Sequence, residues 1–194
     1  LAACVAQGAC LANLRGLALD DNALTLQAPP APTQSPTPAS LLSPLQSRMQ
    51  QQQQQQQSPA ETLGKALRRL PKLEQLDLNN NCLLGDEAAA ELCTQLLASQ
   101  PPDGCKHAPP LRMLHLGGTQ AGNASAIACA DAITSAGPSK EFPCSLAVLC
   151  ISGECGDVGA KALAGVLTEQ CPLRELYLGN KIGDMGVEGL ARAL

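Results

Sequence analysis

Tryptophan does not occur in this chain, and one tyrosine and one phenylalanine supply all of its aromatic side chains. A core must therefore be drawn from Leu, Ala, Val, Ile and Cys. Histidine is almost as scarce. His107 and His115 are the two present, and neither stands at zinc-ligand spacing from a cysteine pair. There are ten cysteines but no Cys-x-x-Cys, so the thiols read as reduced side chains of a cytoplasmic or nuclear protein. Gly-x-x-x-x-Gly-Lys and Gly-x-Ser-x-Gly are missing, which removes the phosphate loop and the nucleophile elbow. The scattered carboxylates and two histidines make no acid–base pair, so the chain reads as non-catalytic, with no cofactor and no metal. A net charge of −4 argues against a nucleic-acid partner, which calls for a basic stripe. The basic cluster Lys65, Arg68, Arg69 and Lys72 reads as the solvated face of one helix. No apolar run reaches the roughly 18 residues of a membrane span. Leu1–Cys10 lacks the basic start of a signal peptide.

What is present is a repeated phrase. Trios of the form Leu-x-x-Leu-x-Leu recur as Leu14/Leu17/Leu19, Leu73/Leu76/Leu78, Leu111/Leu114/Leu116, Leu146/Leu149/Ile151 and Leu173/Leu176/Leu178. Side chains alternate across a strand, so the last two of each trio face one interior. The residue between them points to the opposite face: Ala18, Asp77, His115, Cys150 and Tyr177. After a loop comes a glycine, and apolar residues follow it at offsets of four, seven, eight and eleven. These are Ala89, Leu92, Cys93 and Leu96 after Gly85, and Ala126, Cys129, Ala130 and Ile133 after Gly122. They are Ala160, Leu163, Ala164 and Leu167 after Gly156, and Val187, Leu190, Ala191 and Leu194 after Gly183. Those offsets describe one face of a helix. Asp86, Asn123, Asp157 and Asp184 follow the glycines and are expected to cap the helices they begin. For Asn123, which heads an Asn-Ala-Ser glycosylation pattern, the capping role is preferred. Strand-plus-helix units in one phase predict a stacked repeat.

The phrases Leu73-Glu-Gln-Leu-Asp-Leu-Asn-Asn-Asn and Leu173-Arg-Glu-Leu-Tyr-Leu-Gly-Asn run into Gly85-Asp-Glu and Gly183-Asp-Met-Gly. They resemble the leucine-rich repeats of the ribonuclease-inhibitor class, which also includes NOD-like receptors and Ran GTPase-activating protein. The resemblance covers nearly the whole chain outside residues 27–59. It implies an α/β leucine-rich-repeat solenoid, a horseshoe with parallel strands on the concave face and helices on the convex face. The repeat asparagine three residues past the last strand leucine is present as Asn22 and Asn81. It is replaced by Thr119, Glu154 and Lys181, which predicts less regular loops there.

The first unit is interrupted. Its strand ends at Leu19, and its helix pattern appears only at Leu63, Ala66, Leu67 and Leu70. Residues 27–59 carry Pro-Thr-Gln-Ser-Pro-Thr-Pro and an unbroken polyglutamine from Gln50 to Gln57, and read as a disordered insertion. Ser58 and Pro59 occupy the place of Gly-Asp, with proline suited to the first helical turn. Shorter insertions span Pro101–Pro110 and Gly137–Pro143. Residues 1–26 read as the end of one helix and the next strand, and 60–194 as continuing repeats. With no initiating methionine and no polar capping repeat, the sequence reads as a fragment of a longer repeat protein.

The expected function is a non-catalytic interaction scaffold that reads a protein partner on the strand face. The candidate contact residues are Asp77, Asn79, His115, Cys150, Ser152, Glu175 and Tyr177, with Tyr177 the best single anchor. The resemblance implies a second reading, a GTPase-activating regulator acting on a bound small GTPase. Neither reading involves nucleic acid or a membrane. The expected location is the cytoplasm, with cytoskeletal association or the nucleus as alternatives.

Overall fold

The computed structural model describes residues 13–26, 58–97, 109–135 and 144–194. The polyglutamine, most of each insertion, Cys4, Cys10, Cys105, His107 and Leu41, Leu42 and Leu45 lie outside them. The strands are β1 (Gly16–Ala18), β2 (Gln75–Asp77), β3 (Met113–His115), β4 (Val148–Ile151) and β5 (Glu175–Leu178). The helices are α1 (Pro59–Arg68), α2 (Asp86–Leu97), α3 (Asn123–Ser135), α4 (Asp157–Ala164) and α5 (Asp184–Ala193). The strands form one open parallel sheet in sequence order, β1-β2-β3-β4-β5. Each helix packs on the next. Parallel strands taken in order with crossovers of one hand place every helix on the same side of the sheet.

The core lies between these two layers. Leu76, Leu78, Leu114, Leu116, Leu149 and Ile151 point from the inner strands toward the helices and are buried. The helix offsets meet them: Ala89, Leu92, Cys93 and Leu96 from α2, and Ala126, Cys129, Ala130 and Ile133 from α3. Cys93 and Cys129 are neighbours inside this core, and that contact together with burial holds the Cys129 thiol well above its ordinary pKa. Cys155, in the loop that leads into α4, is also fully buried.

The pattern fails at one end. Val187 and Leu194 are 56% and 97% exposed, because α5 packs on α4 alone among the described helices. Leu167 also lies outside α4. Gly165 ends that helix, and Val166 and Leu167 N–H donate to the carbonyls three residues back.

The caps run differently from expectation. Glycine, not the following acid, takes the N-cap position of α4 and α5, as Gly156 and Gly183, with no side-chain cap of its own. Asp86, Asn123 and Asp157 instead cap the next helix along. Asp86 accepts from Gly122, Ala124 and Ser125 N–H at 2.7 to 2.9 Å and from the Ser125 hydroxyl at 2.7 Å. Asn123 Oδ1 accepts from Gly156 and Gly159 N–H, and Asp157 Oδ1 from Gly183 and Gly186 N–H. Side-by-side parallel helices bring each first-turn side chain to its neighbour's free amides, where a negative oxygen is favoured. The Asn123 amide is thus engaged within the fold.

Helix α1 is the exception. Ser58 and Pro59, at the end of the span read as the insertion but in the place of Gly-Asp, are its N-cap and first residue, the first-turn position the proline suited, and Ser58 Oγ accepts from Glu61 N–H at 2.9 Å. Ser58→Ala should cost about 1 kcal/mol in a urea titration; an unchanged midpoint would show the cap to be idle. Arg68, expected in solvent, is 2% exposed and donates through Nη1 to Gln95 O at 2.6 Å. It sits in the last turn of α1 facing the C-terminal turn of α2, where exposed carbonyls attract a cation.

The loops after the first three strands share one turn. Asp21, Asn80 and Gly118 each lie two residues past the last strand leucine and take φ of 56°, 59° and 66°. Asp, Asn and Gly are the residues that tolerate this left-handed turn. Asn81 then turns inward, fully buried. Its amide donates to Leu19, Leu78 and Asn79 carbonyls, and its Oδ1 accepts from Leu24 N–H. Thr119 keeps part of this role, donating to Leu116 O and accepting from Ala121 N–H. Glu154 and Lys181, at the same place in the last two units, pair with each other in solvent instead.

Candidate functional site

The helix-free face of the sheet carries the candidate residues. Backbone register aligns Ala18, Asp77, His115, Cys150 and Tyr177 across five adjacent strands. A second row, two residues earlier, aligns Gly16, Gln75, Met113, Val148 and Glu175. Of that row only Glu175 was expected. Strand alternation at i−2 from the first row would have revealed the others. Asn79 and Ser152 lie at one rim, one residue past the buried strand ends.

At β1–β3 the face is hollow. Gly16 and Ala18 contribute almost no side chain, leaving a shallow trough of about 250 Å³ floored by Gln75, Asp77, Met113 and His115. Within it Asp77 Oδ2 lies 3.7 Å from His115 Nδ1, and Asp77 Oδ1 accepts from Asn79 N–H at 2.9 Å. Asn79 has a structural task as well: its Oδ1 accepts from Gly117 N–H at 2.6 Å. Gly117 brings Asn79 and Ser152 together, since a Cβ there would lie 2.8 Å from Asn79 Oδ1 and 2.9 Å from Ser152 Oγ. Asn79 is therefore held in place and offers its amide group as a fixed contact.

At β5 the face stands up. Tyr177 is 53% exposed and its hydroxyl donates to Glu175 Oε2 at 2.7 Å. That hydrogen bond, and the carboxylate charge beside it, raise the Tyr177 pKa above the ordinary phenol value. The ring is thus oriented by its strand neighbour two residues back. Cys150, half-buried between His115 and Tyr177 in the row, carries a free thiol. The sheet brings all seven candidates onto one face and its rim, with a trough at one end and an aromatic at the other.

A larger apolar hollow, about 590 Å³, lies elsewhere, at the outer edge of β5 and α5. Leu173, Leu176, Val187 and Leu190 line it, and the matching residues of inner units are covered by a neighbouring strand and helix. It holds none of the first-row residues. Among the described residues, no group of three or more His, Cys, Asp and Glu side chains could hold a metal ion. No described helix is long and apolar enough to cross a membrane.

No protein-family model matches this chain, and no curated protein shows detectable similarity to it.

Proposed function

We propose that the chain is a leucine-rich-repeat interaction scaffold whose horseshoe face binds a protein partner in the cytoplasm. The observation that supports this reading is the contrast between the two faces of the sheet. Toward the helices every inner strand repeats the same aliphatic side chains. On the open face the aligned row changes from rung to rung, from Asp77 to His115, Cys150 and Tyr177. A surface built only for solvent has no need of a half-exposed aromatic held by its own carboxylate partner, whereas a contact surface uses such an anchor. The cytoplasmic placement is supported by thiols spent on packing at Cys93, Cys129 and Cys155, which suits a reducing compartment.

The test is a binding comparison. Partners captured by the wild-type chain should be lost from a Tyr177→Ala, Asp77→Ala double variant, with Kd rising by about tenfold or more. Folding stability should change by less than about 0.5 kcal/mol, because both side chains are partly or largely exposed. Full retention of every partner by a folded double variant would move the contact surface off this face. A small GTPase among the lost partners would lead to a GTP hydrolysis assay.

A further inference from the structure

Cys144 and Cys171 occupy the same place in consecutive units, each two residues before the first strand leucine, Leu146 and Leu173. The β4–β5 register pairs Leu149 with Leu176, and the same offset carries Cys144 onto Cys171. Backbone bonds extend that alignment upstream of the strands: Arg174 and Glu175 N–H both donate to Ala147 O, at 2.7 and 3.0 Å. Neighbouring chain segments in such a ladder run about 5 Å apart, within the roughly 4.4–6.8 Å that a disulfide spans between Cα atoms. Both side chains are half-buried, and both thiols are free. The two cysteines are also close enough for Cys171 to influence the ionisation of Cys144.

We propose that Cys144 and Cys171 form a reversible disulfide site that joins the last two units when the surrounding thiol pool is oxidised. The oxidant is a low-molecular-weight disulfide of the glutathione type. Burial raises the Cys144 pKa above the ordinary thiol value, with the neighbouring Cys171 adding to it, so Cys171 attacks first. Its thiolate bonds to one glutathione sulfur and expels the other as a thiolate. Cys144, once deprotonated, attacks Cys171 Sγ in that mixed disulfide and expels the second glutathione. Two protein thiols are oxidised, one small disulfide is reduced to two thiols, and the two protons pass to the leaving glutathiones.

The site is placed where a staple matters. Leu173, Leu176 and Leu178 of the last strand are only partly covered, unlike their counterparts in β2 to β4. Elements with few buried contacts open locally most easily. Closing the loop from 144 to 171 restricts that opening.

The experiment treats the full chain with glutathione disulfide, blocks remaining thiols, and maps cross-linked peptides by mass spectrometry without reduction. A Cys144–Cys171 peptide is expected. It should disappear in Cys144→Ser and in Cys171→Ser, and persist in Cys129→Ser, which removes a buried thiol close enough to sense Cys144. In the oxidised wild type, amide exchange over Glu175–Leu178 should slow by about tenfold, and dithiothreitol should reverse it. Stable glutathione adducts at both cysteines, or a link from either to any other cysteine, would overturn the site. A cross-link that leaves exchange in β5 unchanged would overturn its stapling role.

Discussion

Asn81→Ala should lower the folding stability by about 3 kcal/mol. The side chain is fully buried and ties its own loop to that of the preceding unit. Its removal strips partners from the Leu19 and Leu78 carbonyls and from Leu24 N–H, and leaves a void that water reaches poorly. Each buried backbone group left without a partner costs about 1–3 kcal/mol, and partial relaxation reduces the sum. The effect should be local in its first stage. Leu19 and Leu24 belong to the β1 unit, so amide protection over residues 16–19 should fall before that of β3. Asn22, the same repeat position one unit earlier, is exposed, and among the described residues its side chain bonds only to Asp20 O. Asn22→Ala should therefore shift the urea midpoint by less than about 0.5 kcal/mol equivalent. Equal losses in the two variants would mean that position in the repeat, not burial, decides the contribution.

Asp86→Ala should cost about 2–3 kcal/mol, and the helix that suffers should be α3 rather than α2. The Asp86 carboxylate begins α2 but gathers four donors from the start of α3. Hydrogen exchange separates the two cases. A cap acting within its own helix would leave the first turn of α2 unprotected, whereas the observed bonds predict loss at Gly122, Ala124 and Ser125. The contribution also depends on pH. Burial alone would raise the Asp86 pKa, but hydrogen bonds from the Ser125 hydroxyl and the Ser125, Ala124 and Gly122 amides outweigh it and hold the pKa below the usual carboxylate value. A depressed folded pKa means that the stabilisation is complete above the unfolded value of about 3.9 and fades as pH falls through the folded one. The stability gap between wild type and Asp86→Ala should accordingly narrow below about pH 4. A gap that stayed constant into acid would show that the charge of Asp86 contributes nothing.

Those two residues also mark where reading the sequence succeeded and where it stopped. The strand trios and the glycine-locked helix offsets were legible because they express intervals of two and about 3.6 along one element. They located β1 to β5 and the buried faces of α2 and α3. The bonds of Asp86, Asn123 and Asp157 were not legible, since an offset along a helix says nothing of which neighbour its first turn meets. Arg68 was misread for the same reason: its charge suggested solvent, and only the packing of α1 on α2 brought it to the Gln95 carbonyl. Val187, Ala191 and Leu194 carry the right pattern for burial, yet a pattern cannot supply the surface that would cover it. On the open face, the Asp77–Tyr177 row followed from alternation. The trough did not, because it arises from the missing side chains at Gly16 and the small one at Ala18.

The forward direction of the caps has a consequence for how the chain is made. Synthesis delivers the units in order from the N-terminus. When α3 leaves the ribosome, the carboxylate that will receive its first amides already stands on α2, and α4 then finds the Asn123 amide waiting in turn. From α3 onward, each newborn helix thus meets a finished template instead of an unmade one. Growth from the opposite end would present the starts of α3, α4 and α5 to water until the next piece arrived.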